Sequence, residues 1–109
     1  MVRYLLIACA LFALTTGLKA DPVPVKVTFR ESLLIHGTFV AQFRNQGDTG
    51  LVLHIEFDRP DSSDRKTFTL LVPANSFKEV GHNQGWTVKS GDQISITSEG
   101  FDAVQCHMP

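Results

Sequence analysis

The stretch Phe39-Val40-Ala41-Gln42-Phe43-Arg44-Asn45-Gln46-Gly47-Asp48-Thr49-Gly50-Leu51-Val52-Leu53-His54-Ile55-Glu56-Phe57-Asp58 holds two alternating runs around a polar break. Phe39, Ala41 and Phe43 alternate with Val40, Gln42 and Arg44. Leu51, Leu53, Ile55 and Phe57 alternate with Val52, His54, Glu56 and Asp58. Successive side chains of a strand point to opposite faces, so each run predicts a strand with a buried odd-numbered face. Gly47 and Gly50 favour a turn between them, and a hairpin is the expectation for the pair.

The same period continues outward. Val25, Val27 and Phe29 alternate with Lys26, Thr28 and Arg30, and Ser32 to Ile35 extends this strand or forms a short second piece. Arg59 to Arg65 is a polar segment expected to be a flexible loop. Phe68, Leu70 and Val72 then alternate with Thr67, Thr69 and Leu71. Short strands follow around Phe77–Val80, Trp86–Lys89, Ile94–Ile96 and Phe101–Cys106, with turn residues between them. Helical periodicity is almost absent. Seven or eight short strands without a repeat or linker point to one all-β domain, an antiparallel two-sheet sandwich.

Upstream, Met1-Val2-Arg3-Tyr4 leads into an apolar run from Leu5 to Leu14, then Thr15-Thr16-Gly17-Leu18-Lys19-Ala20. A basic start, a short apolar run and a small residue at the end are the layout of a secretory signal peptide. The run is too short for a membrane span, which needs about 20 apolar residues. The expected division is a signal peptide over 1–20 and a β-sandwich domain over 21–109, secreted or periplasmic, with no membrane span in the mature form. Leu6-Ile7-Ala8-Cys9 also has the look of a lipobox, but only eight residues precede Cys9 and the apolar run continues past it, so cleavage near Ala20 is preferred.

Arg3 and Lys19 leave with the signal, so ten basic residues become eight against eleven acidic ones, a balance of −3 with histidine neutral. That gives no electrostatic case for nucleic acid, whose binders need a basic surface. Cys106 is the one cysteine of the expected mature chain. An intrachain disulfide there is not expected, and the domain must rest on its core.

Gly37-Thr38-Phe39-Val40-Ala41-Gln42-Phe43-Arg44-Asn45-Gln46-Gly47 resembles the second strand and Asn-x-Gly turn of bacterial extracellular immunoglobulin-like or fibronectin-III-like domains. Leu70-Leu71-Val72-Pro73-Ala74-Asn75-Ser76 is similar to their strand-then-proline turn. The Cys–Trp–Cys core of antibody domains is missing. The resemblance implies an immunoglobulin-like sandwich and a general habit of binding or assembly. It transfers no functional residue.

Catalytic signatures are absent: there is no Gly-x-Ser-x-Gly elbow and no glycine-rich phosphate loop. An enzyme is not expected, nor a cofactor. His54, Glu56 and Asp58 share one strand face, yet no second ligand pair has diagnostic spacing, so no metal site is expected. Gly81-His82-Asn83-Gln84-Gly85-Trp86 joins polar donors, two glycines and the single tryptophan. His82, Asn83, Gln84 and Trp86 are the candidate partner-binding loop, with Trp86 either an anchor for a partner or a plug for one end of the core. Val40, Val52 and Leu71 would form an apolar patch if adjacent. The expected function is recognition of a protein or cell-envelope component by an exported non-catalytic sandwich. The alternative is a small secreted inhibitor or accessory subunit inserting a loop, 81–86 or 59–65, into a partner.

Overall fold

The structure, a computed structural model, describes residues 21–109 and the backbone of two short strand pieces, Ile7–Ala8 and Phe12–Ala13. The rest of the expected signal peptide, its cleavage site and Cys9 lie outside the described residues. Seven strands make up the domain: β1 (Val25–Glu31), β2 (Phe39–Asn45), β3 (Leu51–Arg59), β4 (Asp64–Val72), β5 (Phe77–Val80), β6 (Gln93–Thr97) and β7 (Val104–His107). They form two antiparallel sheets, ordered β1-β2-β5 and β7-β6-β3-β4. Ile7–Ala8 pairs with β1 and Phe12–Ala13 with β7, each at the outer edge.

The inner faces follow the alternation. Val25, Val27 and Phe29 of β1, Ala41 and Phe43 of β2, and Leu51, Leu53, Ile55 and Phe57 of β3 are all buried. They meet Ile94 and Ile96 of β6 and Val104 and Cys106 of β7 in one core. Phe57 lies at its centre, edge-on to Phe43 at 6.2 Å and to Phe68 at 5.7 Å, and tilted against Trp86 at 5.7 Å. Burying each such side chain contributes roughly 1.5–3 kcal/mol.

The expected β2–β3 hairpin does not form. β2 pairs with β1 and β5, whereas β3 pairs with β4 and β6, so the chain crosses from one sheet to the other after Asn45. Two apolar odd faces can be buried within one sheet or against each other across a sandwich, and alternation does not distinguish the two. Asn45 decides it. Its buried side chain donates to the carbonyls of Thr49 (2.8 Å) and Val72 (3.1 Å) and accepts from the Gly47 amide (2.8 Å). The amide of Asn45 itself donates to Ser76. These bonds fasten the 46–50 connection across the roughly 10 Å between packed sheets.

The hairpin lies one element later. β3 and β4 pair over nine residues, from Leu51 opposite Val72 to Arg59 opposite Asp64. The expected loop over 59–65 is therefore a tight turn. The amides of Ser62 and Ser63 both donate to the Arg59 carbonyl, with Ser63 at φ 59°. The strand expected at Trp86–Lys89 shrinks to one bridge between Val88 and Phe39.

Candidate functional site

At the end of the sandwich reached by the β1–β2 and β5–β6 connections, a groove of about 280 Å³ opens between two turns. One wall is the predicted loop. His82–Gln84 is a single turn of 3₁₀ helix, closed by Gly85 in the left-handed region at φ 94°. The Gln84 side chain accepts from the Gly81 amide at 2.8 Å, and the Trp86 amide returns to the Gly81 carbonyl at 3.2 Å. His82, Asn83 and Gln84 remain exposed along this ledge.

Trp86 does not share their position. It is 7% exposed, inside the core cluster and against Phe57. Its indole N–H donates to Asp92 Oδ2 at 3.0 Å, and the Arg59 guanidinium lies 4.4 Å from the ring centre. Arg59 in turn donates to both oxygens of the fully buried Asp92 and to the Thr87 carbonyl. The Lys89 amide completes the set on Asp92 Oδ2 at 3.0 Å. The Asp92 bond holds the Arg59 guanidinium above its already high ordinary pKa, against the opposing pull of desolvation. Trp86 thus plugs one end of the core and supports the ledge from below.

The second wall was not a sequence candidate. Leu33 and Leu34 are each 65% exposed at the tip of the β1–β2 turn. Ser32 Oγ accepts from the amides of Leu34 (3.2 Å) and Ile35 (3.3 Å), and the Thr38 hydroxyl donates to the Ile35 carbonyl at 2.7 Å. The Ser32 amide donates to the Thr38 carbonyl, closing the neck. Three consecutive apolar residues between Ser32 and Gly37 break the period of two. That irregularity was the available signal, and it fitted an extension of β1 equally well.

The floor between the walls is Val40, Arg30 and Glu79. Val40 is buried close under Gly81, where a Cβ would come within 2.9 Å of Val40 Cγ2. It is therefore no part of an outer apolar patch, whereas Val52 and Leu71 are cross-strand neighbours, both exposed. Arg30 binds Glu79 through Nε and Nη2, and Gln42 donates to the same carboxylate. The Arg30 bond holds the Glu79 carboxyl below its ordinary range, outweighing the opposite effect of desolvation.

On the other sheet, His54, Glu56 and Asp58 face outward. His54 meets the Thr69 hydroxyl at 3.3 Å, and Arg65 lies within 3.8 Å of Glu56 and 3.7 Å of Asp58. Among the described residues, no three His, Cys, Asp or Glu side chains converge as metal ligands, and no helix is long and apolar enough to cross a membrane. No known family, curated protein or solved structure matches this chain.

Proposed function

We propose that the chain is an exported, non-catalytic β-sandwich module of immunoglobulin-like type, and that it recognises a protein or cell-envelope component through the Leu33–Leu34 tip and the His82–Gln84 ledge. The strand order supports the fold assignment. Strands one, two and five face strands three, six and seven, with the fourth strand joined to the second group.

The observation that carries the function is the tip. Two adjacent leucines stay in water on a turn fastened by hydrogen bonds at Ser32 and Thr38. Burying each would contribute roughly 1.5–3 kcal/mol, a gain the isolated domain forgoes. A turn already held in shape loses little entropy on docking, so most of that gain goes into affinity. The adjoining ledge supplies side-chain donors and acceptors at the rim of the same groove, the arrangement of an apolar anchor with a polar surround.

The alternative, an inserting inhibitor or accessory subunit, transfers to the same tip. The 59–65 segment is a closed hairpin turn, and Trp86 is committed to the core.

Photo-crosslinking in the native compartment tests the proposal. Probes at Leu34 and His82 should capture the same partner, and a probe at Ser95 on the opposite sheet should not. The double variant Leu33→Asp/Leu34→Asp, with an unchanged melting temperature, should lose capture at His82. Equal capture from all three probes, or retention by the double variant, refutes it.

A further inference from the structure

The outer face of the β1-β2-β5 sheet carries two cations that the domain leaves uncompensated. β1 turns Lys26, Thr28 and Arg30 to this face, β2 turns Gln42 and Arg44, and β5 turns Phe77 and Glu79. Lys26 stands directly opposite Arg44, and like charges in facing positions of an antiparallel pair are destabilising. Glu79 is the carboxylate of this face, and it is already engaged. Arg30 holds it through Nε and Nη2, and Gln42 donates to it as well. Among the described residues, no ion pair includes Lys26 or Arg44. With eleven acidic residues in the chain against ten basic ones, their isolation is a matter of placement, not of composition.

Arg44 is also fixed in place. Its guanidinium lies 5.0 Å from the centre of the Phe77 ring, itself 46% exposed. A guanidinium stacked on a ring keeps its N–H edge available and loses little freedom when that edge is used. Beside the two cations and the ring lies a groove of about 270 Å³, lined by Lys26, Thr28, Gln42, Arg44, Gln46 and Phe77. The Thr28 hydroxyl donates to Gln42 Oε1 at 3.2 Å, so Thr28, Gln42, Glu79 and Arg30 form one hydrogen-bonded row along the cations.

We propose that this groove binds a phosphate monoester carried on a sugar. Such a group brings a charge of about −1.5 to −2 at pH 7 and three acceptor oxygens. Two oxygens match the Arg44 fork, and the third is left for the Lys26 ammonium. A carboxylate, with one charge and two oxygens, satisfies one of the cations but not both. The groove is smaller than the roughly 300–1,000 Å³ of pockets that enclose drug-sized ligands, so it accepts one small headgroup rather than a length of chain. The Thr28 hydroxyl and the exposed Gln46 amide are neutral and polar, which suits sugar hydroxyls. Binding also relieves the repulsion between Lys26 and Arg44. The site is separate from the Leu33–Leu34 tip, and either stands without the other.

Amide shifts of the isotope-labelled chain, titrated at low ionic strength with glucose 6-phosphate, inorganic phosphate, phosphoserine, glucuronate and glucose, provide the test. The sugar phosphate should move the amides of Lys26, Thr28, Gln42, Arg44 and Gln46 saturably. Glucuronate should bind about twofold to fivefold more weakly, the worth of one exposed ion contact, and glucose should not bind. Lys26→Gln/Arg44→Gln should lose the response while keeping or raising the melting temperature, because it removes a like-charge pair. Lys66→Gln/Lys89→Gln removes the same charge from elsewhere and should respond as the wild type does. Phe77→Leu keeps both charges but releases the guanidinium, and should weaken binding about twofold to fivefold. Absence of a saturable shift with the sugar phosphate, or equal loss in the two double variants, overturns the proposal. Glucuronate binding as tightly as the sugar phosphate overturns the choice of phosphate. Inorganic phosphate or phosphoserine binding as tightly overturns the choice of a sugar.

Discussion

Asp92 concentrates more of the fold on one side chain than any other polar residue described. Its two oxygens accept from Arg59, the Trp86 indole and the Lys89 amide, and it has no contact with water. Asp92→Ala leaves the Arg59 charge partly buried without its partner and strands the indole N–H. Breaking a buried pair in this way costs about 3–5 kcal/mol. At about 4–8 °C per kcal/mol for a domain of this size, the melting temperature should fall by about 12 °C or more, read by calorimetry. Glu79 gives a pH signature instead. Its carboxyl is held by Arg30 below the ordinary value of 4.5, so the ionised form stabilises the fold. That contribution is complete above the unfolded-state value and is lost as pH falls through the lower folded-state value. Urea midpoints of the wild type and Glu79→Gln should therefore differ near pH 7 and converge as the pH falls below the depressed folded-state value. A difference that persists at low pH would assign the effect to packing rather than charge.

At the scale of elements, the alternation made nearly every inner-face residue legible, because period two encodes which face is buried. Phe43, Leu53, Ile55 and Phe57 are where that period puts them. Which strand pairs with which was not encoded in the same way. The β2–β3 connection contains two glycines and reads as a hairpin turn, but a buried Asn45 turns it into a crossing between sheets. A side chain that serves distant carbonyls leaves no local trace in the sequence. The site was half legible for a related reason. The polar residues 82–84 announced a loop, while Trp86 followed its hydrophobicity inward and the Leu33–Leu34 tip interrupted a period instead of forming one. Asn45→Ala tests the crossing. It removes three hydrogen bonds and leaves the Val72 carbonyl without that donor, so about 2–4 kcal/mol of stability should go. Denaturant unfolding should show a lower midpoint with an unchanged slope, since the core surface is the same.

At the scale of the molecule, the sandwich presents its longest exposed edge along β4. This strand runs nine residues, is paired on one side only by β3, and reads Asp64-Arg65-Lys66-Thr67-Phe68-Thr69-Leu70-Leu71-Val72. Its charges crowd into the first three positions and its last five hold four large apolar side chains. Leu71, 63% exposed, stands beside Val52, 44% exposed, on the outer face at that same end. An edge of this kind is a template for further strands, and charged residues, lysine above all, are the usual means of blunting it. Arg65 and Lys66 protect the beginning of β4, and nothing comparable protects its end. Self-association at high concentration should therefore start from Thr69–Val72. Leu71→Lys places a charge there without touching the core, because the side chain already faces water, so stability should change by less than about 0.5 kcal/mol. Light scattering during concentration should show aggregation delayed in Leu71→Lys relative to wild type. Lys78→Leu, an exposed change on the edge strand of the other sheet, should leave the β4-driven association in place. Equal aggregation of Leu71→Lys and wild type would place the sticky surface elsewhere.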